Sequence, residues 1–153
     1  MFTVASEETE GYQRYIRSAA YYDISVKTLG LGEQWLGGDM NSVGGGYKIN
    51  LLKKALEPFK GNREKIILFT DSYDVVFTAK LDVIVHKFKK LEANIVFGSE
   101  YACWPDESVS HLYPMAKPGL PKYLNSGLFI GEFDRNFATK MATDFFIFHR
   151  LCC

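Results

Sequence analysis

Along this chain apolar and polar positions fall into short blocks whose period switches between two and about 3.6, the repeats of strands and helices. A strand is expected at about 2–5, then a helix at about 8–21 with Tyr12, Tyr15, Ile16, Ala19 and Tyr22 at helical spacing. A second strand reads at Ile24–Leu29, where Ile24, Val26 and Thr28 alternate with Ser25 and Lys27. Residues 30–46, rich in glycine and polar groups, read as a loop. The next helix runs from about Tyr47 to Glu57, with Ile49, Leu51, Leu52, Ala55 and Leu56 as its buried face, and Pro58 stops it. Ile66–Thr70 reads as a strand, Val75–Phe77 as a short apolar piece, and 80–91 as a helix with the stripe Leu81, Ile84, Val85, Phe88 and Leu91. A strand at Ile95–Gly98, a long loop at 99–123 and a strand at Leu128–Ile130 complete the pattern. This alternation predicts an α/β domain: a mostly parallel sheet with helices on both faces.

The segment Ile66-Ile67-Leu68-Phe69-Thr70-Asp71-Ser72-Tyr73-Asp74 bears most directly on chemistry. In open α/β sheets, ligands bind outside the carboxyl ends of the strands. Asp71 and Asp74 stand just past such an end, and a turn would aim both into one crevice. Two unpaired carboxylates repel, and each resists desolvation. A hard divalent cation relieves both penalties, and Mg²⁺ or Mn²⁺ is typically held by one or two carboxylates together with substrate phosphates. A metal–nucleotide site competes here with a plain polar turn, since Asp and Ser are common turn residues.

Composition removes several classes of function. A chain of 153 residues with 47% hydrophobic and 24% charged residues can bury the core of one domain. Its 18 basic and 18 acidic residues cancel and are well mixed, so no nucleic-acid partner is expected. No apolar run approaches the roughly 20 residues of a membrane span, so no transmembrane segment is expected. The chain opens on the apolar Phe2-Thr3-Val4-Ala5, so no signal peptide is read. Cys103, Cys152 and Cys153 form neither metal-ligand spacing nor a disulfide framework.

Further candidates lie in the loops. Gly44-Gly45-Gly46-Tyr47-Lys48 opens a helix, where backbone N–H groups and Lys48 could meet a diphosphate. Ile49 follows the lysine, so this is not a Walker P-loop, which requires Ser or Thr there. Taken alone, the glycines are slightly better explained by a flexible hinge before a helix. Asn125-Ser126-Gly127 precedes an apolar strand and could address a sugar hydroxyl or form an Asx turn. Trp35 and Trp104 lie in long loops, placed either to stack on a sugar or base or to pin their loops. His86 and Lys87, Lys89 and Lys90 read as the outer face of their helix. A phosphatase of the haloacid dehalogenase type is disfavoured, because its two aspartates are separated by one residue and here Ser72 and Tyr73 intervene.

Thr3-Val4-Ala5-Ser6, Glu8-Thr9-Glu10-Gly11-Tyr12, Leu29-Gly30-Leu31-Gly32-Glu33-Gln34-Trp35, Gly44-Gly45-Gly46, Asp71-Ser72-Tyr73-Asp74-Val75, Cys103-Trp104-Pro105 and Leu124-Asn125-Ser126-Gly127 occur in this order. Together they resemble the amino-terminal glycosyltransferase domain of the procollagen-lysine 2-oxoglutarate 5-dioxygenases, the multifunctional lysyl hydroxylases. The resemblance covers residues 1–131 and leaves 132–153 as a divergent tail. It implies a GT-A-like (Rossmann-like) fold, incomplete at the carboxyl end, that binds a UDP-sugar with Mn²⁺. By motif position Val4, Ala5 and Ser6 line the uridine pocket, and Asp71, Ser72 and Tyr73 contact the nucleotide. Asp71 and Asp74 hold the metal. Gly45, Gly46, Lys48, Trp35, Trp104, Asn125, Ser126 and Gly127 are candidates for diphosphate or sugar contacts.

The activity so implied is transfer of glucose or galactose from UDP-glucose or UDP-galactose to hydroxylysine, or galactosylhydroxylysine, of collagen. It would take place in the endoplasmic reticulum lumen or elsewhere in the secretory pathway. No catalytic side chain is assigned, and the hydroxylase domain of that family is not part of this sequence. Two departures stand out. Leu128 replaces the second of two glycines, which is expected to put a side chain near the sugar subsite. The family's acidic run and later metal-ligating histidine do not follow Gly131, and His149 lacks that ligand's context. The alternative is therefore a catalytically silent module that binds nucleotide or a protein partner only.

Overall fold

The computed structural model describes residues 1–37, 45–59, 65–103 and 106–133. Five strands, β1 (Phe2–Val4), β2 (Lys27–Leu29), β3 (Ile66–Thr70), β4 (Ile95–Glu100) and β5 (Tyr123–Glu132), form one sheet in the order β2-β1-β3-β5-β4. β1 pairs parallel with β2 and β3, whereas β5 pairs antiparallel with both β3 and β4. Four strands therefore share one direction and β5 opposes them, giving a mixed sheet of mostly parallel strands. Helices α1 (Glu10–Tyr21), α2 (Gly45–Leu56) and α3 (Leu81–Lys90) cover it.

Side-chain alternation divides the core between the two faces. Phe2, Val4, Ile67, Phe69 and Phe129 turn toward α2, meeting Leu52 and Leu56. Leu68 and Ile130 turn to the opposite face and pack with Phe88 of α3. Tyr15 and Ala19 of α1 join Ile24 and Phe77 on that side. Phe69 and Phe129 stack across the β3–β5 pair with centroids 5.0 Å apart. Thr9 caps α1, its hydroxyl accepting from the Tyr12 N–H at 3.2 Å. Pro58 lies in a 3₁₀ turn, Glu57–Phe59, that follows α2.

The sequence pattern misplaces several boundaries. Ile24 is buried by α1, whose Ala19 carbonyl accepts its N–H, so β2 begins only at Lys27. α2 starts at Gly45, two residues before the apolar periodicity shows it. Val75 and Phe77 pack into the core under α1 while Val76 faces solvent, and the segment does not join the sheet; the 99–123 segment contains the end of β4 and a 3₁₀ helix, Glu107–Leu112. Most consequential is β5, which starts at Tyr123 rather than Leu128. Its pairing with β4 jumps from Phe97↔Phe129 to Gly98↔Asn125, leaving Ser126, Gly127 and Leu128 as a bulge. Trp104, Gly44, His149 and the tail after Phe133 lie outside the described residues.

Candidate active site at the carboxyl end of β3

The turn after β3 is fixed from below by buried hydroxyls. Thr3 Oγ1 donates to the Thr70 carbonyl at 2.7 Å, and the Tyr15 phenol shares a 2.8 Å hydrogen bond with Thr70 Oγ1. Ser72 Oγ donates to the Val4 carbonyl at 3.0 Å. Thr3, Thr70 and Ser72 are all buried. A buried hydroxyl without a partner is costly, so these pairings restrict how the ends of β1 and β3 can lie. Burial also pushes the Tyr15 phenol above its usual pKa, against the opposing effect of its hydrogen bonds to Thr70 and Thr3.

Asp71 stands two residues past Phe69, on the face that α2 covers. Lys48 begins the sheet-facing stripe Lys48-Leu52-Leu56 of α2, spaced at i, i+4 and i+8. Its ammonium lies 5.6 Å from the centre of the Phe69 ring and 2.9 Å from Asp71 Oδ1. The lysine side chain is 18% exposed and the aspartate 41%, so this pair is only partly shielded from water.

The other oxygen of Asp71 faces the β5 bulge. The Asp71 N–H donates to the Gly127 carbonyl at 2.6 Å. A Cβ on Gly127 would stand 2.6 Å from Asp71 Oδ2 and 2.9 Å from Asn125 Oδ1, so the absence of a side chain forms the notch that holds the carboxylate. Asn125 Oδ1 accepts the Gly127 N–H at 2.7 Å, an Asx turn that shapes the bulge. Asn125 thus serves the local backbone with its carbonyl oxygen.

Tyr73 reaches back to β1. Its phenol oxygen accepts from the N–H groups of Ser6, at 3.1 Å, and Glu7, at 3.2 Å, while its ring stays 41% exposed. Gly11, in the first turn of α1, makes room for this turn: a Cβ there would collide with the Tyr73 carbonyl oxygen and lie 3.0 Å from its carbon. Asp74 is exposed on the same turn. Trp35 meets Tyr47 edge to face at 5.1 Å, which seats its loop on the turn of α2 that carries Lys48.

Among the residues expected at the site, Asp71, Lys48, Gly127 and Asn125 come together, and Tyr73 joins Ser6. Val4, Ala5 and Ser72 have buried side chains, so only their backbone can line a pocket. Ser72 Oγ is committed to the fold instead of facing a nucleotide. A Cβ on Gly46 would meet nothing within 4 Å, so that glycine makes no close approach within the described chain. Leu128 stands in register with Thr70, which turns its hydroxyl to α1, and cross-strand partners share a face. Its side chain is therefore on the α1 side, opposite Lys48, rather than beside the lysine's crevice. Gly11 and the Thr3–Thr70–Tyr15 linkage escaped sequence reasoning, because their partners lie far away along the chain.

As a metal site, the donors at the turn are the hard carboxylate oxygens of Asp71, with Lys48 beside one of them, a type that suits Mg²⁺ or Mn²⁺ when phosphate oxygens complete the shell. Among the described residues no three His, Cys, Asp or Glu side chains converge.

The strand order and the acidic turn at the sheet's carboxyl edge define a GT-A-like α/β domain. The chain belongs to the PLOD GT domain family, the glycosyltransferase domain of the lysyl hydroxylases, whose family model matches residues 1–141. That match takes in part of the segment set apart above as a tail. The chain is 56% identical over 138 residues to a procollagen-lysine,2-oxoglutarate 5-dioxygenase of Drosophila melanogaster, covering 90% of this chain and 19% of that protein. It is 44% identical over 132 residues to procollagen-lysine,2-oxoglutarate 5-dioxygenase 2 of Mus musculus, covering 86% and 18%. Against the human multifunctional procollagen lysine hydroxylase and glycosyltransferase LH3 the identity is 43% over 132 residues, again covering 86% and 18%. The chain spans less than a fifth of the length of these curated relatives. No helix among the described residues is long and apolar enough to cross a membrane.

Proposed function

We propose that this domain binds a UDP-sugar together with Mn²⁺ and transfers glucose or galactose to hydroxylysine or galactosylhydroxylysine of collagen, in the endoplasmic reticulum lumen or elsewhere in the secretory pathway. The observation that carries this reading is the convergence of Asp71, Lys48 and the Gly127 notch at the carboxyl end of β3. One carboxylate offers oxygen to a divalent ion, and one ammonium offers charge to a diphosphate. Asp71 and Asp74 would hold the metal, which when bound would polarise the diphosphate leaving group as a Lewis acid.

The chain's own residues do the orienting. Gly127 keeps the Asp71 carboxylate in place, and the buried hydroxyls of Thr3, Thr70 and Ser72 hold the turn against β1. The Tyr73 ring, tethered through its hydroxyl to Ser6 and Glu7, supplies an exposed aromatic surface beside the end of β1, suited to stacking on a base. Lys48 neutralises phosphate oxygens as a charge-assisted donor.

The test is calorimetric titration of the purified chain with UDP, with and without Mn²⁺, repeated for Asp71→Asn and Asp74→Asn. Binding should require the metal and weaken sharply in both variants, because the ion separates two carboxylates from a diphosphate of like sign. Equal affinity with and without Mn²⁺ would refute the metal bridge. Metal-dependent UDP binding without transfer to a hydroxylysine peptide would identify the silent binding module instead.

A further inference from the structure

We infer that Lys48 and the metal compete for the same oxygen of Asp71, so that Lys48 is a resident counter-cation released to the diphosphate when metal and nucleotide arrive together. The inference rests on the metal–nucleotide reading above and adds an order of events to it.

Asp71 has two oxygens with different surroundings. Oδ2 lies in the Gly127 notch, and Oδ1 accepts from Lys48 at 2.9 Å. A divalent ion approaching Oδ1 meets an ammonium already at hydrogen-bonding distance. Two cations on one oxygen repel, so the lysine must leave before the metal is seated. That ammonium sits over the Phe69 ring on a side chain that is mostly buried, which limits where it can go. A diphosphate at the amino end of α2 offers an anion within reach of that same side chain, where the helix terminus also favours negative charge. Metal alone must displace the lysine with no replacement partner for it. UDP alone must draw the lysine from Asp71 and leave that carboxylate facing phosphate. Together the two ligands exchange partners and every charge keeps one. Metal and nucleotide affinities are thereby coupled, and the coupling is reciprocal.

The measurement is binding of Mn²⁺ alone, read by electron paramagnetic resonance of the free ion. It is carried out on the wild-type chain and on Lys48→Met, Lys48→Gln, Lys48→Arg and the double variant Lys48→Met/Asp71→Asn. Methionine keeps an apolar side chain at that position, glutamine provides a second uncharged variant, and thermal melts establish that each chain is folded. Removing the charge should tighten Mn²⁺ binding by roughly twofold to fivefold, the range for a partly exposed ion pair. At saturating Mn²⁺, UDP should bind more weakly to the same variants. Arginine should give no gain, and the Asp71→Asn change should erase it. Unchanged or weaker Mn²⁺ binding in both uncharged variants, including binding too weak to detect throughout, would overturn the inference. So would a gain that persists without the Asp71 carboxylate. Because this readout uses no nucleotide, its failure is distinct from a failure of UDP to require metal in the wild-type chain.

Discussion

Replacing Gly127 by alanine separates the fold from the placement of a single carboxylate. The new Cβ would lie 2.6 Å from Asp71 Oδ2, whereas ordinary contact begins near 3.4 Å, so the carboxylate must retreat by about 0.8 Å. Asn125 Oδ1, 2.9 Å from the same Cβ, must give way as well; both are ends of side chains, and Gly127 lies in β5 without a positive φ, so the backbone tolerates alanine. An off-rotamer aspartate costs ~0.5–1.5 kcal/mol. Disturbing a 41%-exposed partner of Lys48 adds no more than about 1 kcal/mol after solvent screening. At ~2–4 °C per kcal/mol for a domain of this size, the melting temperature should fall by roughly 1–10 °C. Binding of UDP in Mn²⁺ should also weaken, because a metal shell tolerates shifts of only about 0.2 Å in its oxygen distances and the carboxylate moves several times that. Differential scanning fluorimetry of the ligand-free variant gives the first quantity, and calorimetric titration of UDP in Mn²⁺ gives the second. Wild-type affinity in Gly127→Ala would refute the role given to the notch. A melting temperature lowered far beyond this range without ligand would show that the notch serves folding instead.

Gly11→Ala should be the more destabilising glycine substitution, by ~1–3 kcal/mol, because its Cβ meets the Tyr73 backbone rather than a movable side chain. Urea denaturation checks this, and wild-type stability would mean that α1 does not seat on the turn. Tyr15→Phe leaves the Thr70 hydroxyl without its 2.8 Å partner and should cost ~1–3 kcal/mol at neutral pH. The buried phenol of Tyr15 also holds its proton above the ordinary value of about 10, so above that pH the unfolded chain has lost a proton that the folded chain retains. Stability from this group is full below pH about 10 and declines as pH rises through the folded value, a component that denaturation curves of Tyr15→Phe should lack.

What could be read in the sequence was whatever depends on near neighbours. The stripe Leu81, Ile84, Val85 and Phe88 marks α3 because four consecutive contacts fall on one helix face. The run Ile66–Thr70 marks a strand buried on both sides, and the acids after it mark the ligand edge of the sheet. Lys48 was legible as a cation at a helix start, but its partner was not, since only packing α2 over Phe69 brings it to Asp71. Ser72 looked like a ligand-facing hydroxyl in a polar turn; its burial depends on the Val4 carbonyl, supplied by a strand 68 residues away. β5 was read short because its bulge interrupts the period-two signal at Ser126–Leu128, the stretch that carries the notch. Ile24 looked like a strand residue because burial under a helix and burial in a sheet leave the same apolar mark.

The position of β5 also sets how this domain comes together in time. The strand that joins β3 to β4 is the last of the five in the chain, and its residues pair with β3 across 58 to 66 positions, from Thr70↔Leu128 to Ile66↔Glu132. Until it inserts, β4 has no strand neighbour among the described residues, and β3 has an open edge. Contacts that span such distances carry a large loop-closure cost before they return any stabilisation, so they slow folding. β1, β2 and β3 can pair while the chain is still being synthesised, but the Asp71 carboxylate acquires its notch only after Gly127 arrives. Assembly of the Asp71 site is thus among the last events of folding, and the open edge of β3 is the surface most exposed to mispairing while the chain waits.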